Sequence, residues 1–65
     1  MIVFINKTAH EMAEAATLAD AVALVQARPP FAAAVNMEFV PNTQYAKRQL
    51  AQNDRIEIIL PVTGG

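Results

Sequence analysis

Apolar residues come in short runs along this chain, and polar pairs separate the runs. Residues 1–5 are all apolar and rich in β-branched types, and Asn6 and Lys7 follow them directly. This pattern predicts a central or two-sided strand that ends in a turn. Residues 8–12 alternate weakly between apolar and polar types, which predicts the second arm of a hairpin.

One interval of the chain has helical instead of strand spacing. Thr17 precedes it with a hydroxyl that can cap a helix, and Asp20 follows three residues later, close to the capping-box pattern. The spacing predicts an amphipathic helix that begins at about Leu18. We expect it to stop before Pro29 and Pro30, because proline lacks the backbone N–H that a helix needs.

The second half of the chain repeats the hairpin pattern and closes with a strand. Residues 31–35 form an apolar run, residues 36–38 predict a tight turn, and residues 39–40 predict a short strand. Residues 42–50 predict a turn or a short helix. Residues 56–62 predict the last strand, which would leave about three residues beyond it, roughly 10 Å when extended.

This order of elements predicts an α+β fold, with a mixed sheet of four to five strands covered by one main helix. The first and last strands are the most hydrophobic, so we expect them to pair at the centre of the sheet beneath the helix. A chain of 65 residues holds one core, so residues 1–65 form a single domain. The predicted core comprises Val3, Ile5, Leu18, Val22, Val25, Val35, Ile56 and Ile58.

Composition and charge exclude several classes of function. The chain has no Cys and one His, so it cannot assemble a zinc site, a thiol nucleophile or a redox pair, and we expect no metal. The net charge is −1 and the basic residues are scattered, which argues against nucleic-acid binding. No apolar stretch approaches the ~20 residues that span a membrane, and the N-terminal run is too short for a signal peptide. We therefore expect a cytoplasmic protein whose partners are proteins.

Two apolar side chains are predicted to face away from the helix. Phe4 and Ile59 alternate with the core residues of the first and last strands, which places them on the uncovered face of the sheet. Apolar residues there are typical of a docking patch, although isolated exposed apolar residues are also common on any protein surface. Phe39 and Tyr45, by contrast, are expected to fill the core.

The chain resembles the ThiS sulfur carriers of thiamine biosynthesis over essentially its whole length. The resemblance depends on several segments occurring in order. They are the opening strand into Asn6, the helix start Thr17-Leu18-Ala19-Asp20, Val35-Asn36-Met37-Glu38-Phe39-Val40-Pro41, the spacing from Tyr45-Ala46 to Leu50, Asp54-Arg55-Ile56-Glu57-Ile58, and the final Gly64-Gly65.

This resemblance implies a β-grasp, ubiquitin-like fold and a carrier rather than an enzyme. It implies that the carboxylate of Gly65 is adenylated, becomes a thiocarboxylate and donates its sulfur to thiazole synthase. Gly64 suits a tail that enters another protein's active site, because the absence of Cβ permits close approach. Thr63 and Val62 favour an extended chain in front of it.

A free carboxylate must first become a mixed anhydride, so its activator must use ATP. The chain has no Gly-rich loop that could cradle phosphates, because Gly64 and Gly65 are its only glycines. A separate adenylating enzyme is therefore implied. By resemblance, the partners are a ThiF-like adenylating enzyme, a sulfur-donating persulfide enzyme and a ThiG-like thiazole synthase, and the chain itself binds no cofactor.

Two alternatives remain open. Residues 61–65 also resemble the tail of the molybdopterin synthase small subunit, so the tail does not distinguish the thiamine pathway from the molybdopterin pathway. A ubiquitin-like modifier or interaction module would have the same Gly-Gly end without carrying sulfur.

Overall fold

The computed structural model describes residues 1–60 of the chain. Within them, five strands form one sheet and one α-helix packs against it. In chain order the elements are β1 (Ile2–Ile5), β2 (Thr8–Glu11), α1 (Leu18–Leu24), β3 (Ala32–Val35), β4 (Glu38–Val40) and β5 (Arg55–Ile59). A 3-10 helix, Asn42–Gln44, lies between β4 and β5. The α+β prediction is confirmed.

The strands are arranged in the order β2-β1-β5-β3-β4, so the first and last strands lie side by side as predicted. β1 and β5 are parallel, whereas the other neighbouring pairs are antiparallel. The sheet is therefore mixed. The parallel pair is short and joins Phe4 to Arg55 and Ile5 to Ile56.

Both hairpins close through two-residue turns that place non-glycine residues at positive φ. Asn6 and Lys7 have φ values of 49° and 71° between β1 and β2, and Asn36 and Met37 have 52° and 69° between β3 and β4. Positive φ at both central positions is the type I′ turn that matches the twist of the flanking strands. The predicted turn over residues 36–38 is thus one residue too long, since Glu38 already belongs to β4.

The helix begins as predicted, with a capping box. The Thr17 hydroxyl accepts a hydrogen bond from the Asp20 N–H at 3.4 Å, and Asp20 Oδ2 accepts one from the Thr17 N–H at 2.9 Å. The N–H groups of Leu18 and Ala19 donate to the carbonyls of Arg48 and Tyr45. These bonds satisfy donors that have no partner within the helix, and they attach the segment before β5 to the helix start.

The helix ends earlier than predicted. Its last residue is Leu24, and Gln26 beyond it adopts a left-handed φ of 57°. The N–H groups of Gln26 and Ala27 donate to the carbonyls of Ala23 and Val22, the pattern of a Schellman motif. This motif terminates the helix, so the two prolines that were expected to stop it only follow its end.

The core lies between α1 and one face of the sheet. Six of the predicted core residues are buried there, whereas Val22 and Val25 are only half-buried at its edge. Val25 is the cap residue of a helix shorter than expected, and Leu18 and Ala21 occupy the centre of the helix face. The buried residues are Val3, Ile5, Ala16, Leu18, Ala21, Ala33, Val35, Val40, Leu50, Ile56 and Ile58. Tyr45 is half-buried against this core and stacks on Phe31.

The last strand also ends earlier than predicted. It stops at Ile59, and Leu60 already lies outside it. Ile59 pairs with Ala32, the first residue of β3, so β5 ends where its antiparallel partner begins. The rest of the predicted strand, residues 61–62, lies outside the described residues.

Candidate functional site: the open sheet face and the end of β5

The two faces of the sheet differ in what covers them. Ile56 and Ile58 of β5 point into the core under the helix, whereas Arg55, Glu57 and Ile59 alternate to the other face and are exposed. We call that other face the open face. By strand register it also carries Phe4, Ala32, Ala34 and Phe39.

The structure places both predicted docking residues on the open face, but not next to each other. Phe4 is half-buried and lies beside Arg55 at the start of β5. Ile59 is 55% exposed and lies four residues further along, about 13 Å away along the strand. The two residues therefore belong to different ends of the face.

Phe39 also lies on the open face, and its predicted place in the core is wrong. It is 67% exposed. In the two-residue hairpin, Val35 pairs with Glu38 and Ala34 pairs with Phe39, so Phe39 shares the face of Ala34. A turn of three residues instead of two would shift the pairing of β4 with β3 by one residue. Such a shift moves every side chain of the strand to the other face, and Phe39 would then share the face of Val35. Asn36, a residue type that tolerates positive φ, was the available signal for a shorter turn.

Phe39 and Ile59 form an apolar patch together with two alanines between them. Ala34 is paired with Phe39 and Ala32 with Ile59, and both alanines are half-buried. Exposed apolar surface of this kind is typical of protein docking sites. We call Ala32, Ala34, Phe39 and Ile59 the apolar patch.

The other end of the open face is charged. A depression there is lined by Phe4, Asn6, Lys7, Arg55, Ile56 and Glu57. Two cationic residues, one acidic residue and an aromatic residue therefore line the same depression. The open face as a whole offers an apolar patch at the end of β5 and a mixed charged region at its start.

Both ends of β5 are held by asparagine side chains from the two hairpin turns. Asn6 Oδ1 accepts a hydrogen bond from the Ile58 N–H at 2.9 Å, and Asn6 Nδ2 donates to the Ile58 carbonyl at 3.3 Å. Asn36 Oδ1 accepts from the Arg55 N–H at 2.9 Å, and Asn36 Nδ2 donates to Asp54 Oδ1 at 3.0 Å. Sequence reasoning treated both asparagines as turn residues only.

The predicted reactive segment lies beyond the described part of the chain. Gly65, the expected site of adenylation, and its neighbours Gly64, Thr63 and Val62 all lie outside the described residues. What the structure does give is the point from which this segment departs, at Ile59 and Leu60. Both side chains are more than half exposed there.

Two further findings concern other kinds of site. Within residues 1–60, no three His, Cys, Asp or Glu side chains come together in a way that could hold a metal ion. The same residues contain no helix that is long and apolar enough to cross a membrane.

Comparison with known proteins agrees with this architecture. A crystal structure of the thiamine biosynthesis protein ThiS from Geobacter metallireducens superimposes with a TM-score of 0.81 and 14% sequence identity, and all of both chains is covered. At this identity the likeness shows the fold alone, and it confirms the predicted β-grasp. No curated protein matches the sequence.

The sequence itself carries a family signature. The model of the ThiS family matches residues 3–65, which include β1 from Val3 onward, the other strands and the helix of the described residues, and the final Gly64-Gly65. This chain therefore belongs to the ThiS family, whose members are small sulfur carriers.

Proposed function

We propose that this chain is the sulfur carrier for thiazole formation in thiamine biosynthesis, with the Gly65 carboxylate as its reactive group. The observation that carries the proposal is the ThiS family match, which continues through Gly64 and Gly65. The similar fold belongs to a protein described as a thiamine biosynthesis protein, which supports the same pathway. We place the reaction in the cytoplasm.

The proposed chemistry forms the thiocarboxylate in three steps and then transfers its sulfur. On a ThiF-like enzyme, a carboxylate oxygen of Gly65 attacks the α-phosphate of ATP and pyrophosphate leaves, which forms an acyl-adenylate. The outer sulfur of a persulfide then attacks the acyl carbon, and AMP leaves. A thiol cleaves the resulting acyl disulfide, so that a disulfide is released and the thiocarboxylate remains on Gly65. A ThiG-like thiazole synthase takes the sulfur from it.

The geometry of β5 supports delivery of this carboxylate into another protein. The strand ends at Ile59, and residues 60–65 follow it. Six residues span at most about 20 Å when extended, roughly twice the reach expected from a strand ending at Val62. A carboxylate on such a tether can enter an active site while the folded domain stays outside it.

The open face supplies the docking surface in this proposal. Ile59 belongs to the apolar patch and is also the last residue of β5, so a partner that covers the patch lies directly beside the departing chain. We propose that the ThiF-like enzyme covers Phe39 and Ile59 with apolar side chains and faces Phe4 and Arg55 with polar ones. The enzyme would then bind the chain at the same end of β5 from which the tail delivers the Gly65 carboxylate.

Two changes at Gly65 test the reactive group. Deleting Gly65 moves the carboxylate back to Gly64, and Gly65→Val adds a branched side chain beside the reacting carbon. We expect adenylation, measured as ATP–pyrophosphate exchange with the ThiF-like enzyme, to collapse in both variants. Unfolding in urea should be unchanged, because a short terminal segment contributes little to stability. Adenylation of either variant at the wild-type rate would contradict the role of Gly65.

Intact-mass analysis distinguishes the proposed carrier from the alternatives. When the chain is coexpressed with its native partners, a sulfur carrier shows replacement of one oxygen by sulfur at its C-terminus. A modifier or interaction module keeps the unmodified mass. The synthase that copurifies with the thiolated chain separates the two carrier pathways: thiazole synthase supports our proposal, and the large subunit of molybdopterin synthase contradicts it.

A further inference from the structure

The edge of β5 that faces β1 loses its backbone partner before the strand ends. The parallel pair covers Phe4 and Ile5, and the Asn6 N–H then donates to the Ile56 carbonyl at 2.9 Å. After Asn6 the chain turns back into β2. In residues 1–60, the next backbone groups on this edge, those of Ile58, have no β1 backbone opposite them.

The side chain of Asn6 takes the place of the missing backbone. Its amide accepts from the Ile58 N–H at 2.9 Å and donates to the Ile58 carbonyl at 3.3 Å. A primary amide offers the same donor and acceptor pair as a peptide group. Asn6 therefore extends the ladder between β1 and β5 by one more position, although it is itself the first residue of the turn, at a φ of 49°.

Few other residues could satisfy both requirements at this position. Glycine accepts the left-handed φ but has no amide, and aspartate accepts the φ but has no donor for the Ile58 carbonyl. Asparagine combines a tolerance of left-handed φ with both hydrogen-bonding groups. The left-handed φ and the two hydrogen bonds to Ile58 together account for an asparagine at this position.

Ile58 is the last residue of β5 that is held in this way before the chain leaves the sheet. Its other neighbour in the sheet is Ala33 of β3, and the next residue, Ile59, is the last of β5 and pairs with Ala32 of β3. We propose that Asn6 is a positioning residue for acyl activation: it holds the end of β5 so that the tail leaves the domain in the direction of the adenylating site. This inference rests on the proposed function.

Asn36 offers a matched control within the same molecule. It occupies the same position of the same turn type, at a φ of 52°, and its amide also makes two hydrogen bonds, one of them to the β5 backbone. Its partners are Arg55 and Asp54, at the end of β5 remote from the tail. Asn36→Gly therefore removes a comparable pair of bonds without releasing Ile58.

The test compares Asn6→Gly with Asn36→Gly in ATP–pyrophosphate exchange with the ThiF-like enzyme. Both variants are assayed at a temperature where circular dichroism shows them folded. We expect Asn6→Gly to lower kcat about tenfold or more, because a small misplacement of a reacting group has large kinetic effects, while KM for the carrier stays within about twofold. Asn36→Gly should keep the wild-type kcat. In hydrogen exchange, the Ile58 amide should lose protection in Asn6→Gly alone.

Several results would overturn the inference. A wild-type kcat in Asn6→Gly would do so, and so would an equal loss of kcat in both variants, because that would reduce Asn6 to a structural role. If Asn6→Gly does not fold, Asn6→Asp replaces it: this change keeps the acceptor for the Ile58 N–H and removes the donor, and an unchanged kcat would again contradict positioning. Failure of the wild-type chain to be adenylated would instead overturn the proposed function, and the inference with it.

Discussion

Ile58 and Ile59 are neighbours in the chain and have the same side chain, yet they lie in opposite environments. Ile58 is 8% exposed and packs in the core, whereas Ile59 is 55% exposed on the open face. An apolar side chain stabilises a fold only as far as water is removed from it. The comparison shows that hydrophobicity along β5 does not assign a role to a residue. The role depends on the face of the sheet on which a residue lies. Residues on the covered face stabilise the fold, and residues on the open face remain available to a partner.

The largest expected effect is a loss of stability, and it tests the role of the sheet face that the helix covers. Ile58→Ala removes a buried side chain and leaves a cavity, which should lower the free energy of unfolding by about 2–5 kcal/mol. That is a large share of the stability of any small domain. The matched change Ile59→Ala, one residue further on, should cost less than about 0.5 kcal/mol because the side chain is mostly exposed. Urea titration followed by circular dichroism measures both.

A loss below about 0.5 kcal/mol in Ile58→Ala would place Ile58 outside the core. Equal losses in the two variants would remove the distinction between the faces altogether. Either result would also weaken the assignment of the open face to docking, since that assignment assumes that Ile59 is not needed for folding.

A smaller effect, on binding, tests the open face. Phe39→Ser and Ile59→Ser should each weaken binding to the ThiF-like enzyme by about 1–2 kcal/mol, since buried anchor residues dominate interface energies. Phe4→Ser should have a lesser effect on affinity, because Phe4 is already half-buried within the domain. Isothermal titration calorimetry measures the affinity, and urea titration should show that the Phe39 and Ile59 variants keep their stability.

Leu24→Ser is the control for that experiment. Leu24 is 49% exposed, comparable to Ile59, but it lies on the helix and not on the open face. The Leu24→Ser variant should bind the ThiF-like enzyme with the affinity of the wild-type chain. Unchanged affinity in both Phe39→Ser and Ile59→Ser, with folding intact, would return these residues to the class of ordinary exposed apolar side chains.

The sequence predicted those parts of the fold that depend on local pattern. The helix start followed from Thr17 and Asp20, whose side chains cap each other, and the central pairing of β1 with β5 followed from their hydrophobicity. The helix end was missed because Gln26 terminates it through a left-handed conformation, for which glutamine gives no compositional sign. Local propensity does not reveal such a site, because residues other than glycine adopt a left-handed φ only uncommonly.

For the candidate site, the alternation of side chains along a strand was sufficient to predict the position of some residues and insufficient for others. Alternation along β1 and β5 placed Phe4 and Ile59 on the same face, as the structure confirms. Phe39 was misplaced because the face of an edge strand depends on the exact length of the turn before it. The bonds from Asn6 to Ile58 join residues 52 positions apart, and such a contact becomes visible only once the sheet order is known.

The smallest expected effect concerns Met37, which is even more exposed than Ile59 but for a different reason. It is 90% exposed and lies in the β3–β4 turn at a φ of 69°, a conformation that costs a non-glycine residue roughly 1–2 kcal/mol. Glycine avoids that cost but loses more chain entropy on folding, about 0.5–1 kcal/mol. Met37→Gly should therefore stabilise the domain by roughly 0.5 kcal/mol, which urea titration can resolve against the wild-type chain.

Lys7→Gly is the matched change in the other hairpin, since Lys7 occupies the same turn position at a φ of 71°. The two gains in stability should be similar if backbone conformation alone determines them. Met37→Gly should also leave affinity for the ThiF-like enzyme unchanged, because Met37 lies in the turn and outside the apolar patch. A loss of stability in Met37→Gly with a gain in Lys7→Gly would mean that the Met37 side chain stabilises the fold despite its exposure. A loss of affinity would instead extend the docking surface from the open face into the β3–β4 turn.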